Sequence, residues 1–231
     1  MKERKEGPGD LEFELNAFQK DSLNELGYRA SRHAVTSLAA MTGLTINIEV
    51  PSVDIVQLED AKKLIGTDKS VAGLLLQLDG GFSGYLQVLF PEISAFSLVD
   101  ILLGRMPGET KSIEAEMEES ALMEIGNILA SSFCDAIADF LQFSLLPSPP
   151  SFAFDMASTI VENVMMAVKQ AQVPAERIIL FQCDLKEETE EGLDGYIMLF
   201  PHHDGLNNIL ASLEVAASSK GERKWLSNGA L

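Results

Sequence analysis

Glu124 and Asn127 stand three residues apart in the stretch SALMEIGN, behind Ser120. A carboxylate and a carboxamide at this spacing share one face of a helix, where the first can accept hydrogen bonds or meet a cation and the second offers one acceptor and two donors. No His, Cys or glycine-rich loop stands nearby to complete a nucleophile and base, a metal site or a phosphate cradle. The chemistry open to such a pair is the positioning of groups that something else supplies.

The element that must display the pair is a helix, expected from about Ser112 to Leu141. With Ser120 at zero and about 100° per residue, Glu124 falls near 40° and Asn127 near 340°, a narrow stripe that Ser131 and Ala138 extend. Leu122, Ile125, Leu129, Phe133, Ala136 and Phe140 fall between about 140° and 220°, so this arc faces the core and the stripe faces water. An exposed Glu and Asn on a lone helix are usually just solvated surface. The acidic run EAEMEES at Glu114–Ser120 suits the positive end of the helix dipole.

The chain repeats itself, and that changes the weight of the stripe. At a shift of 99 residues, DSLNELGYRASRHAVTSLAAM falls on SALMEIGNILASSFCDAIADF, so Asp21, Glu25 and Pro51 land on Ser120, Glu124 and Pro150. Further along, Gly84-Tyr85 and Phe90-Pro91 match Gly195-Tyr196 and Phe200-Pro201 with one residue of slippage. A unit this long is a duplication and not a solenoid repeat. Each unit reads as a long helix, an extended pair around a Pro, a shorter helix, two strands and a closing helix.

In the first unit the helix runs from about Asn16 to Thr42, with strands in LTINIEV, at Leu74–Leu78 and at Tyr85–Phe90. In the second, FSLLPSPPSFAFD is extended, a helix spans Met156–Ala171, strands lie at Arg177–Asp184 and Gly195–Phe200, and a last helix follows His202. Short links imply antiparallel neighbours. The fold class is therefore α/β of the α+β kind: one internally duplicated, pseudo-two-fold domain with long helices packed on an antiparallel sheet. The domain is expected over 15–217, with repeats at about 15–108 and 111–217. Residues 1–14, the acidic KEETEEGLD and the tail 218–231 with Trp225 are expected to be flexible.

Composition narrows the partners. The 231 residues are 46% hydrophobic, enough for a sizeable core, and no apolar run reaches the ~18 residues of a membrane span. A net charge of -18 repels phosphate backbones and anionic lipid, which argues against nucleic-acid and membrane roles but leaves a basic protein surface as a partner. The charged N-terminus lacks the apolar core of a signal peptide, so a cytoplasmic protein is expected. Cys134 and Cys183 read as buried free thiols, and no metal site is expected; His202-His203 read as a turn at a helix start.

Asp or Ser, three residues, Glu, two residues, Asn, twenty-two residues, Pro: this pattern resembles the signature of the CheC/CheX/FliY family of chemotaxis phosphatases, and Ser120, Glu124, Asn127 and Pro150 fit it at every position. The resemblance covers nearly the whole chain. It implies hydrolysis of the phosphoaspartate on a CheY-type response regulator, with Asn127 holding the attacking water in line and Glu124 docking on the receiver's Lys. The receiver would bring its own Mg²⁺, carboxylates and Lys, so this chain would hold no cofactor. The family also suggests CheD as a partner, through the region Met156–Ala171. A binding module for a receiver, CheD or a flagellar-switch protein is the alternative.

The first unit departs from the signature. Asp21, Glu25 and Pro51 are in register, but Tyr28 stands in the Asn position and Arg32 where the second unit has the small Ser131. A phenol lacks the paired donor and acceptor of an amide, so this degenerate site is expected to be catalytically silent.

Overall fold

A computed structural model describes residues 15–42, 46–57, 60, 68–170, 177–187, 193–202 and 205–215. In chain order the elements are α1 (Ala17–Thr42), β1 (Ile46–Gln57), β2 (Ser70–Gly80), β3 (Gly84–Pro91), α2 (Glu92–Leu103), α3 (Glu116–Leu141), β4 (Leu145–Pro147), β5 (Ser151–Met156), α4 (Ala157–Gln170), β6 (Arg177–Glu187) and β7 (Leu193–Pro201). A last helix, α5, covers residues 205–215. The shorter helix anticipated in the first unit, the flexible ends and Trp225 lie outside the described residues, as does most of KEETEEGLD.

The strands form one antiparallel sheet in the order β1-β6-β7-β3-β2, with β4 and β5 both paired to β2 at the far edge. Exchanging each strand for its counterpart in the other repeat, β1 with β4 and β5, β2 with β6, β3 with β7, returns the same order. The duplication is therefore a pseudo-two-fold whose axis passes between β3 and β7, where Gly84 faces Pro201 and Leu89 faces Tyr196.

The motif prolines interrupt both edges. In β1 the register slips by one residue between Glu49 and Ser52, around Pro51. At the opposite edge β4 and β5 are separated by Ser148-Pro149-Pro150, and the register against β2 also slips by one. A proline cannot donate to the ladder, so each edge bulges there. Ser148 fills part of the gap: its amide donates to the Gln77 carbonyl at 2.8 Å, and its hydroxyl accepts from the Gln77 amide at 3.0 Å.

Both faces of the sheet are covered, and this is why β2 and β3 are buried in near-continuous runs and not alternately. On one face α1 and α3 lie over Ala72, Leu74, Leu76, Leu78, Val88 and Phe181 in the larger core. On the other, Val161, Val164 and Val168 of α4 pack on Val71, Leu89, Leu180 and Phe200. The strands are longer than the hydrophobic pattern suggested, and β1 is so because its bulged edge continues past Pro51. His202 precedes the last helix: its amide donates to the Ser83 carbonyl at 2.9 Å and its carbonyl accepts from Gly205 at 2.6 Å.

α3 is long and apolar enough to cross a membrane by composition, but 61% of that stretch is buried against the rest of the chain. Its apolar arc is the core-facing surface, wider than the sequence pattern gave: Ala130, Cys134, Ile137 and Leu141 are buried as well. Burial, and for Cys134 the neighbouring Asp135 carboxylate, pushes both free thiols up to about 12.

Candidate functional site

α3 sets the site. Ser120 and Glu124 are exposed and Asn127 is half-buried on its outer side, while Leu122, Ile125 and Leu129 are buried beneath them. Between Glu124 and Asn127 lies Gly126, which is buried; a Cβ there would overlap the side chain of Leu74 in β2. The absence of a side chain lets α3 approach the sheet at the level of the Glu-Asn pair. Leu74 is paired with Phe152, two residues beyond Pro150, so the register sets the half-buried Pro150 at the same end of the sheet edge. Gly126 escaped the sequence reading, although Gly27 stands at the same offset in the first unit and would have marked it.

The start of α3 is fixed from the side. Asp100 of α2 is buried and accepts from the backbone amides of Glu109 at 3.1 Å and Thr110 at 2.9 Å. Burial raises its pKa, but the hydrogen bonds from Thr110, Gly108 and Glu109 outweigh that and hold its carboxyl below the usual range. Gly104 ends α2 in the left-handed region at φ 63°, and the next residue, Arg105, reaches Thr110 at 2.8 Å and Glu118 at 2.7 Å. Part of the acidic run before Ser120 is thus a latch: Glu118 ties the α2–α3 loop to the first turn of α3.

Glu124 and Asn127 make no hydrogen bond or ion pair with other side chains among the described residues. The first unit differs. Glu25 is bound to Arg29, one turn on, at 2.8 Å, and the Arg29 guanidinium also lies 5.3 Å from the Phe140 ring. Tyr28 is 57% exposed, with the Arg32 guanidinium 5.9 Å from its ring centre. At the matching position α3 has Ile128, so no cation stands one turn beyond Glu124. Asp21 is exposed, and Pro51 lies in the β1 bulge.

The two sites are far apart. Ser37 and Ser132 are hydrogen-bonded at 3.3 Å, and Arg29 meets Phe140, so α1 and α3 run antiparallel. Glu25 lies about 18 Å from the Ser37 level and Glu124 about 12 Å on the other side, roughly 30 Å in total at 1.5 Å per residue. Among the described residues no group of His, Cys, Asp and Glu could hold a metal ion.

This arrangement can hold a water or meet a cation on a docked surface, and it cannot by itself activate a nucleophile. A model described as the CheC-like family matches residues 117–153, a span that contains Ser120, Glu124, Asn127 and Pro150. The CheY-P phosphatase CheC of Bacillus subtilis is 26% identical over 197 residues, covering 84% of this chain and 93% of that protein. The chain resembles CheC over most of its length. Its fold is that of FliY from Thermotoga maritima, with a TM-score of 0.69 at 17% identity over 87% of this chain and 98% of that one. A chain of the FliG–FliM complex from H. pylori shares it too, with a TM-score of 0.61 at 12% identity over 85% and 100%. This chain and a flagellar-complex chain thus share one scaffold.

Proposed function

We propose that this chain is a cytoplasmic phosphatase that hydrolyses the phosphoaspartate of a CheY-type response regulator. The observation that carries this reading is the unengaged Glu124 and Asn127 on the outer side of α3, in a chain that resembles a CheY-P phosphatase over most of its length. The receiver is the substrate and brings Mg²⁺, its carboxylates and a Lys, which together neutralise the phosphoryl oxygens. Asn127 enters beside the phosphoryl group; its carboxamide oxygen accepts from a water and its NH₂ donates, which holds the water's lone pair in line with phosphorus. The water oxygen bonds to phosphorus as the bond to the aspartate oxygen breaks, releasing inorganic phosphate and a free carboxylate. Glu124, one turn away, pairs with the receiver's Lys and fixes the approach of α3.

The first unit contributes no catalysis in this scheme, because Tyr28 fills the Asn position and Glu25 is held by Arg29. CheD is a further partner of the proposal, through the end of β5 and the outer side of α4, where Met156 and Met166 respectively are 37% and 54% exposed. The second reading is a binding module without hydrolysis, favoured by the scaffold shared with the flagellar chain. Phosphate release from a CheY-type receiver charged by a small phosphodonor separates them: a phosphatase speeds release, and a binding module leaves the rate at that of the receiver alone.

A further inference from the structure

The stripe of α3 does not begin at Ser120. Met117 falls at about 60° on the same projection and is 63% exposed, on the outward side with Glu124 and Asn127. An exposed large apolar side chain alone is ordinary. Two observations make this one different. In the first repeat the position 99 residues earlier is Phe18, itself 42% exposed, so both units display a bulky apolar residue seven positions before the motif Glu. The α2–α3 loop also presents Met106, 76% exposed, and that loop is pinned to the first turn of α3: Arg105 is ion-paired to Glu118, the residue after Met117, at 2.7 Å. A turn closes the loop, Glu109 donating to the Met106 carbonyl at 3.0 Å and the Glu109 carboxylate accepting from the Met106 amide at 3.0 Å.

We infer that Met117, with Met106 of the pinned loop, is the apolar anchor by which the phosphorylated receiver docks, continuous with the Glu124–Asn127 site. This rests on the phosphatase reading above. At 1.5 Å per residue Met117 lies about 10 Å from Glu124 and about 15 Å from Asn127 along the axis, so one receiver face covers all three. The exposed Glu114, Glu116 and Glu119 flank the anchor, and Glu118 is already neutralised by Arg105. The complementary surface is an apolar depression with a basic rim, set about 10 Å from the Lys that Glu124 meets. Thioether side chains adapt to such a depression, and a desolvated apolar centre is where interface energy concentrates.

The test is Met117→Lys, and separately Met106→Lys, in the full chain, with three readouts: affinity for the phosphorylated receiver by calorimetry, kcat and KM for phosphate release, and the melting temperature. A Lys there repels the basic rim and cannot fill the depression. Affinity falls about tenfold or more and KM rises in proportion, with kcat and melting temperature unchanged, whereas Asn127→Ala lowers kcat and leaves affinity in place. Unaltered affinity and KM in both Met variants overturns the anchor. A wild-type chain that binds the receiver without hastening release ends the phosphatase reading, and the affinities of the Met variants then decide the anchor alone. A wild-type chain that does not bind at all overturns both.

Discussion

At the scale of single residues, what each motif position is free to do separates the two repeats. Glu124 has no cation one turn on, and Glu25 has Arg29 at 2.8 Å. The same residue type is a docking group in the proposed mechanism in one repeat and an internal counter-ion in the other. Tyr28→Ala is therefore expected to leave phosphate release within about twofold of wild type. Release falling with Tyr28→Ala would place catalysis in the wrong repeat. The paired spacing made these positions legible, because two units separated by 99 residues carry the same Glu and Pro. What the sequence did not disclose was the Arg29 pairing, which depends on a rotamer choice between solvent, Phe140 and Glu25, and the role of Gly126, which depends on how closely α3 meets Leu74.

At the scale of elements, the pair is held by the contact of α3 with the sheet and by the latch at its first turn. Gly126→Ala gains up to about 1 kcal/mol of helix propensity but drives a methyl into the fully buried side chain of Leu74, which has to shift; overlap of that kind costs about 1–3 kcal/mol. The net is a lower denaturant midpoint, with slower phosphate release as α3 lifts. Asp100→Ala leaves the Glu109 and Thr110 amides without their acceptor and is expected to cost about 1–3 kcal/mol. The sign of its pH dependence follows from the lowered folded pKa: the stabilisation is present above the unfolded value and is lost as pH falls through the folded one. Helix positions were readable from the 3.6-residue period, which needs only one buried face. Strand lengths were not, because a sheet covered on both faces shows no alternation to mark where a strand ends.

At the scale of the whole molecule, the pseudo-two-fold puts the two motif sites at opposite ends of an antiparallel helix pair, roughly 30 Å apart. Since only one end keeps Glu and Asn free, one phosphorylated receiver per chain is expected by calorimetry. The duplication itself was legible, since motif and strand matches run in the same order in both halves; the way the halves interleave, β3 on β7 at the centre, was not, because strand pairing across a two-fold leaves no local signal. The core also sets a chemical property: Cys134 and Cys183, raised to about 12 by burial, resist alkylation at neutral pH until the chain unfolds. Their contribution to stability is complete below the unfolded value of 9.0 and is lost as pH rises from there to about 12. In the proposed mechanism Asn127 positions the water. Its most direct test is the decay of a phosphorylated CheY-type receiver with wild-type chain and with Asn127→Ala at equal melting temperature. Acceleration by the wild type is expected to drop about 10²- to 10³-fold in the variant. Equal acceleration by both would contradict it.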